Sequence, residues 1–122
     1  MTIKSLRILV VDDESNLAEL FAENLIIDGH LAVSAQSAKQ AISLVENSEF
    51  DVVISDVAMP EITGPEMMKS ISQLLRGKPV PPVIFITGHT DFVVPVIAGV
   101  RVLGALYKPA DDRDVASLLG KI

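Results

Sequence analysis

Five polar side chains, each next to the end of an apolar segment, carry the chemistry that this sequence could perform. They are Asp12, Asp13, Asp56, Thr87 and Lys108. Three carboxylates brought together repel one another and raise one another's pKa values, a cost that a bound divalent cation relieves. Oxygen ligands favour Mg²⁺, Mn²⁺ or Ca²⁺ over zinc. If these side chains converge, they therefore predict a divalent-cation site.

The same side chains would also suit phosphoryl transfer. A carboxylate can attack phosphorus and form an aspartyl phosphate. The transferred group then needs positive charge or hydrogen-bond donors at its equatorial oxygens. Mg²⁺ would neutralise one oxygen and the ammonium of Lys108 a second. The hydroxyl of Thr87, with a neighbouring backbone N–H, would serve the third.

Taken singly, each of these residues has a simpler explanation. Asp13 or Ser15 could cap the helix that follows, and Asp56 could be a turn residue. Thr87 could be an ordinary residue at a strand exit, and Lys108 a solvated loop lysine. A shared site is favoured over these separate roles only if the fold brings the five side chains together. The strands and helices that position them therefore decide between the two explanations.

Apolar runs alternate with helical periodicity along the chain, which predicts an α/β fold of the (βα)5 type. Such a fold is a doubly wound, five-stranded parallel sheet with helices on both faces. Its ligands bind beyond the carboxyl ends of the strands, and four of the five strands end next to one of the candidate groups. The predicted strands are Leu6–Val11, Leu31–Ala35, Phe50–Ser55, Val83–Ile86 and Gly104–Tyr107.

Local signals place the helices between these strands. Asp28-Gly29 ends the first helix, as Gly commonly does, and Ser37 can cap the second. Gly64-Pro65 opens the third. The last helix opens at Asp111 or Asp112.

The segment between the fourth and fifth strands is an ambiguous helix. Pro95 would clash inside a helix, so we expect the helix to begin near Pro95, with Asp91–Val94 as loop. Its many valines are β-branched and favour helix weakly, which predicts a short, mobile helix. Because the segment is apolar almost all round, it could be buried or could be a partner surface.

Composition narrows the class of protein further. The 122 residues fit one domain, 1–122, which could be a fragment of a longer protein. A net charge of −6 without a basic cluster argues against direct nucleic-acid binding. The absence of cysteine excludes disulfides and thiolate metal sites. The first five residues predict no signal peptide, and no apolar run is long enough to span a membrane. We therefore expect a cytoplasmic protein.

Four short strings resemble the receiver domain of two-component response regulators, and the likeness covers essentially the whole chain. They are Ile8–Glu14, Asp56–Pro60 with Gly64 downstream, Ile86–His89, and Lys108-Pro109. The resemblance implies a flavodoxin-like strand order, 2-1-3-4-5. It also implies phosphorylation by a sensor histidine kinase or a histidine phosphotransfer protein. A receiver assists its own phosphorylation and dephosphorylation and is not an enzyme that acts on an external metabolite.

The resemblance implies roles for the residues around the metal. Asp56 would be the phosphoacceptor at the end of the third strand and would also contact Mg²⁺, with Mn²⁺ as an alternative. Asp12 and Asp13 would be the acidic pair that holds the metal. The backbone carbonyl of Ala58 would be a third protein ligand.

Further roles follow from the same resemblance. Thr87 would be the switch hydroxyl, and Lys108 would contact a phosphoryl oxygen. The bond from Lys108 to Pro109 would be cis. His89, like Ala58, occupies a position that influences how fast the aspartyl phosphate hydrolyses.

The sequence departs from the family in the aromatic half of the switch. Receivers usually carry Tyr or Phe three residues before the conserved Lys, and Ala105 stands there. Either Tyr107 substitutes or the aromatic half is absent, and we expect absence because Tyr107 lies close to the site. The resemblance implies an output or dimer surface over Val93–Tyr107 and the last helix.

Three alternatives compete with a phosphoacceptor receiver. A pseudo-receiver would keep the fold and act as a phosphorylation-independent interaction module, which Ala105 motivates. A flavin-binding domain would need a hydroxyl- and glycine-rich loop after the first strand, where Asp12-Asp13-Glu14 would repel phosphate. A phosphatase with an aspartate nucleophile usually carries that residue on the first strand, whereas the candidate nucleophile here, Asp56, follows the third strand.

Overall fold

The computed structural model describes residues 4–122. Residues 1–3 belong to the predicted domain 1–122 and to the segment predicted not to be a signal peptide, and they lie outside the described residues. The elements are β1 (Arg7–Val11), α1 (Ser15–Ile27), β2 (Leu31–Ala35), α2 (Ala38–Asn47), β3 (Val52–Asp56), α3 (Gly64–Leu74), β4 (Val83–Thr87), β5 (Val102–Tyr107) and α4 (Asp112–Leu119).

All five strands form one parallel sheet in the order β2-β1-β3-β4-β5. This confirms the predicted doubly wound, flavodoxin-like fold. The strand order reverses between β1 and β3, which are neighbours in the sheet. Such a switch point leaves a crevice at the carboxyl ends of the two strands. The residues at those ends are Asp12 and Asp56.

Alternate residues of the central strands enter two separate apolar layers. One layer packs below α1 and α4 and includes Ile8, Val10 and Ile54. The other packs below α2 and α3 and includes Leu9 and Phe85. Each such side chain contributes about 1.5–3 kcal/mol when fully buried. The two layers hold the strand ends in fixed register.

Side-chain caps begin three of the helices, and the cap by Ser37 is the one that the sequence predicts. Ser37 accepts a hydrogen bond from the N–H of Gln40 (3.1 Å) at α2. Thr63 and Glu66 form a reciprocal capping box at α3 (3.2 and 3.0 Å). Asp111 accepts from the N–H of Arg113 (2.7 Å) at α4. Caps of this kind each contribute about 1 kcal/mol.

The predicted helix between the fourth and fifth strands is wrong, and residues 4–122 form four helices rather than the five of a complete (βα)5 pattern. Residues 88–101 contain turns, a bend and irregular backbone but no helix. Pro95 lacks an N–H and clashes with a helical turn, and its valine neighbours favour helix weakly. Gly99 adopts a positive φ of 78°, which lies outside the helical region.

Packing against α3 and β4 holds this irregular segment in place. Phe92 packs edge-to-face on Phe85 with ring centroids 5.9 Å apart. Ser72 of α3 donates a hydrogen bond to the carbonyl of Ala98 (3.2 Å). The segment therefore covers the sheet in place of a helix. None of the helices formed by residues 4–122 combines the length and apolar composition needed to cross a bilayer.

Candidate functional site

Three carboxylates meet at the crevice between β1 and β3. Carboxylate oxygens of Asp12, Asp13 and Asp56 lie within 4.8 Å of one another. Asp12 and Asp56 are each only 8% exposed, whereas Asp13 is exposed to solvent. The chain thus concentrates negative charge where two carboxylates have lost most of their water.

Lys108 enters this cluster from the end of β5. Its Nζ lies 3.1 Å from Oδ2 of Asp56 and 3.4 Å from Oδ2 of Asp12. These contacts are the ion pairs found within residues 4–122. Three carboxylates and one ammonium leave a net negative charge, so the protein's own cation does not balance the site.

The protonation states reflect this crowding. Burial raises the pKa of Asp56 above its ordinary value, and the hydrogen bond from Lys108 offsets that effect only in part. Burial alone would lower the pKa of Lys108, but the hydrogen bond to Asp56 and the charge of Asp12 outweigh it, so this pKa is raised. Lys108 therefore stays protonated at neutral pH, and ionised Asp56 carries an unrelieved desolvation cost.

The chemistry of this donor set fits a hard divalent cation. All three side chains offer oxygen, which Mg²⁺ and Mn²⁺ prefer. A metal ion would relieve the excess negative charge on the two buried carboxylates. Asp13 faces solvent, so its carboxylate would be a ligand on the open side, where a metal ion would enter with its waters.

The helix-cap explanation of Asp13 is wrong, and so is that of Ser15. Glu14 is the N-cap residue of α1, and its side chain makes no capping hydrogen bond. Asp12 instead accepts a hydrogen bond from the N–H of Glu14 (2.9 Å). That bond orients the Asp12 carboxylate, while the helix makes no use of the Asp13 carboxylate.

The loop after β3 brings backbone groups next to Asp56. The N–H of Gly64 donates to the carbonyl of Val57 (2.8 Å). A Cβ on Gly64 would overlap the carbonyl oxygen of Asp56, so only glycine permits this approach. The backbone N–H of Ala58 hydrogen bonds to the Asp56 carboxylate and acts to lower its pKa. Ala58 therefore lies beside Asp56.

Ser55 is a site residue that the sequence analysis missed. Its side chain is buried, and its hydroxyl donates to the carbonyl of Asp56 (2.8 Å). This bond fixes the backbone of Asp56 opposite Gly64. A single polar residue after Val52-Val53-Ile54 in an otherwise apolar strand was the available signal.

Thr87 ends β4 and is buried. Its Oγ1 accepts a hydrogen bond from the N–H of His89 (3.0 Å), which leaves the hydroxyl proton available for donation. Its carbonyl accepts from the N–H of Lys108 (2.9 Å). Thr87 and Lys108 are thus joined through the backbone of neighbouring strands, and the Lys108–Pro109 peptide bond is cis.

The aromatic position of β5 contains no ring. Ala105 pairs with Phe85 in the sheet, and Tyr107 pairs with Thr87. Tyr107 is 47% exposed, so its ring is not buried in the core. Tyr107 adjoins the end of β4, where Thr87 lies, as expected for a residue one pleat closer to Lys108 than Ala105.

An apolar pocket of about 390 Å³ adjoins the acidic cluster. Leu17 and Phe21 of α1 line one wall, and Pro109 lines the other. The pocket also touches Asp56 and Lys108. The site therefore has an apolar border next to its charged centre.

Comparisons with known proteins agree with this geometry. The family model described as response regulator receiver domain matches residues 8–119. A positive alginate biosynthesis regulatory protein from Pseudomonas aeruginosa is 31% identical over 122 aligned residues, which cover 95% of this chain and 46% of that protein. The chain thus spans less than half the length of this curated relative.

Solved structures show the same relationship. A response regulator receiver domain protein from Clostridium thermocellum is 30% identical with a TM-score of 0.78, over 94% of this chain and 91% of that one. The response regulator TrrA from Thermotoga maritima, solved with Mg²⁺ and BeF, is 25% identical with a TM-score of 0.77, over 94% and 96%. The fold, the acidic crevice and the family model agree, and the chain belongs to the response regulator receiver domain family of two-component systems.

Proposed function

We propose that the chain accepts a phosphoryl group on Asp56 in a Mg²⁺-dependent reaction and thereby switches a partner-binding surface. One arrangement carries the proposal. The carboxylates of Asp12, Asp13 and Asp56 lie within 4.8 Å of one another, and Lys108 Nζ lies 3.1 Å from Asp56. A nucleophile, a candidate metal site and a fixed ammonium thus share one crevice.

Asp12, Asp13, Asp56 and the carbonyl of Ala58 would hold Mg²⁺, with Mn²⁺ as an alternative. The metal would supply positive charge to one phosphoryl oxygen. The excess of carboxylates over ammonium groups supports this assignment, because the two buried carboxylates need a second cation. The mostly open position of Asp13 leaves room for metal-bound water.

The phosphodonor would be a phosphohistidine on a sensor histidine kinase or a phosphotransfer protein. A carboxylate oxygen of Asp56 would form a bond to phosphorus while the bond from phosphorus to the imidazole nitrogen breaks. The leaving imidazole would keep the electron pair and take up a proton. Lys108 would move from the Asp56 carboxylate to a phosphoryl oxygen, and the Thr87 hydroxyl would donate to another.

The apolar border of the site supports docking of a protein donor. Leu17 and Leu20 of α1 expose large apolar side chains beside the pocket that reaches Asp56. A helical donor that covers them would bury apolar surface, at roughly 25 cal/mol per Å². It would also exclude water from the reacting carboxylate.

Two positions would set the lifetime of the aspartyl phosphate. His89 donates its N–H to Thr87 (3.0 Å), and Ala58 lies beside the Asp56 carboxylate. Side chains at these positions would flank the path of a water that attacks the aspartyl phosphate. In this way the domain would assist its own dephosphorylation without acting on an external metabolite.

The switched surface would comprise Val93–Tyr107 and α4, where an output partner or a second copy would dock. Val93, Val94 and Val96 expose apolar side chains there. Thr87 lies opposite Tyr107 in the strand pairing, so a shift of Thr87 would reach this surface directly. We further propose a cytoplasmic location, where the family's histidine donors are phosphorylated, with no membrane or nucleic-acid partner.

A pseudo-receiver is the alternative that a specific observation favours. Ala105 supplies no ring to couple the site to the output surface, and the segment that normally completes that surface contains no helix. A domain that binds partners without phosphorylation would tolerate both features. The two proposals differ in whether Asp56 takes up a phosphoryl group.

Acetyl phosphate with and without Mg²⁺, followed by intact mass spectrometry, separates these functions. We expect a single phosphoryl adduct that needs Mg²⁺ and disappears in Asp56→Asn. Asp91→Asn, an equivalent change at an exposed aspartate, should label as the wild type does. A folded wild-type protein without an adduct would establish the pseudo-receiver instead.

A further inference from the structure

A groove of about 770 Å³ lies between α3 and the irregular segment that joins β4 to β5. It is on the opposite face of the sheet from α1. Leu75, Val80 and Ile97 contribute its apolar lining. Lys69 of α3 contributes a basic side chain, as do Arg76 and Lys78 just beyond the end of the helix. We call this feature the basic groove.

The basic groove concentrates positive charge on a protein whose net charge is −6. Lys69 lies on α3, and Arg76 lies in the turn that follows the helix, and both line the same groove. Both are exposed, and neither they nor Lys78 form an ion pair within residues 4–122. Glu66 is the acidic residue in the lining, and its carboxylate is engaged by the N–H of Thr63 (3.0 Å).

The second wall of the basic groove is tied to the first. Ser72 of α3 donates to the carbonyl of Ala98 (3.2 Å). Gly99, at a φ of 78°, passes so close to Ser72 that a Cβ would overlap its hydroxyl oxygen. Next to this contact Val96 exposes its whole side chain. The segment around Val96 therefore presents an apolar surface, and its contacts with Ser72 hold it against α3.

Helix stabilisation explains only part of this charge. Cations near the C-terminal end of α3 complement the helix dipole, which accounts for Arg76 and Lys78. It does not account for Lys69, which lies in the middle of α3, or for the apolar lining between the charges. Basic side chains around an apolar lining suit a ligand that has both apolar and acidic groups.

We propose that the basic groove binds an acidic amphipathic segment of a partner protein. Apolar side chains of that segment would contact Leu75, Val80 and Ile97, and its carboxylates would face Lys69, Arg76 and Lys78. A compact phosphate is disfavoured, because Lys69 lies more than one helical turn from Arg76 and Lys78 and the adjoining C-terminal end of α3 is electronegative. Nucleic acid is disfavoured because three cations supply little of the usual phosphate neutralisation. This binding goes beyond phosphoryl acceptance and does not rest on it.

A synthetic labelled peptide tests the proposal. It forms roughly four helical turns, with leucine along one face and glutamate on the others, and a charge-inverted version carries lysine at each glutamate position. Fluorescence anisotropy should show that the 122-residue chain binds the acidic peptide, more weakly as salt rises. Amide shifts should map to α3 and residues 96–99.

A double charge reversal, Lys69→Glu with Arg76→Glu, should weaken binding at least about tenfold, because two attractions become repulsions. The matched control is Lys39→Glu with Arg113→Glu, which makes the same charge change at exposed positions elsewhere. It should bind the peptide as the wild type does. Thermal unfolding and Asp56 labelling of both variants separate loss of binding from loss of fold or of the phosphoacceptor site.

Several outcomes would overturn the proposal: equal binding of both peptides, no binding of the acidic one, equal loss in both double variants, or amide shifts outside the groove. A dimer of the chain that dissociates only in the groove variant would identify a second copy as the occupant. That result would also exclude the proposed partner segment.

Discussion

The Nζ atom of Lys108 lies 3.1 Å from Asp56 and 3.4 Å from Asp12, so one ammonium holds two carboxylates that come from different strands. Asp12 follows β1, Asp56 ends β3 and Lys108 follows β5. The three groups are therefore mutually dependent.

Lys108→Met should destabilise the metal-free protein by about 1–2 kcal/mol, because hydrogen bonds to charged groups are lost and two carboxylates keep their repulsion. Urea unfolding measures the change. Lys39→Met is the control, since Lys39 is exposed and makes no ion pair within residues 4–122. Equal stability of the two variants would mean that Lys108 contributes nothing to holding the carboxylates. Acetyl phosphate labelling of Lys108→Met should also be slower than that of the wild type.

Asp56→Asn should make the metal-free protein more stable than the wild type at neutral pH. The folded-state pKa of Asp56 is raised, first of all by burial. The contribution of the Asp56 carboxyl to stability is therefore fully present below its unfolded pKa and is lost as pH rises through the folded pKa. As the pH rises from acidic to neutral, the free energy of unfolding of the wild type should fall relative to that of Asp56→Asn. A constant difference across that range would contradict the raised pKa.

Mg²⁺ should raise the unfolding free energy of the wild type by about 2.7 kcal/mol at a concentration one hundred times its dissociation constant. Asp13→Asn should lose most of this gain, because an exposed ligand is removed without disturbing a helix cap. Thermal unfolding with and without Mg²⁺ measures both. Glu14→Gln, at the neighbouring exposed carboxylate, should keep the full response. Equal losses in the two variants would point to non-specific screening.

Gly64→Ala should destabilise the protein by roughly 1–3 kcal/mol, because the added methyl group overlaps the Asp56 carbonyl and the backbone must shift. The same shift should slow labelling of Asp56. Gly120→Ala is the matched control, because a Cβ there meets its nearest atoms at 3.4 Å and φ is −65°. Wild-type stability of Gly64→Ala would show that the loop after β3 adjusts without cost.

Much of the fold follows from periodicity in the sequence. Short apolar runs alternating with helical spacing predict five parallel strands, and the carboxyl ends of parallel strands share one edge of a sheet. Asp12, Asp56, Thr87 and Lys108 each lie at such an end, so their convergence could be inferred from their positions alone. The strand order and the individual roles came from the family resemblance.

The segment around Pro95 shows where this inference stops. Its apolar composition and its place between two strands predict a helix, but Pro95 and its valine neighbours disfavour one, and the segment turns at Gly99 with a positive φ instead. Contacts with Phe85 and Ser72 then supply an alternative way to cover the sheet. Local propensity is weak enough that such tertiary contacts decide the outcome.

The sequence by itself determined which side chains reach the crevice, because strand direction and strand ends are encoded in local patterns. Only the tertiary structure decided how they are used. The Asp13 side chain does not cap α1. Gly64, which has no Cβ, allows the loop after β3 to pass close to the backbone of Asp56. The basic groove likewise joins Lys69 to Ile97, residues far apart in sequence. These relationships depend on distances between elements, and those distances are set by how the whole core packs.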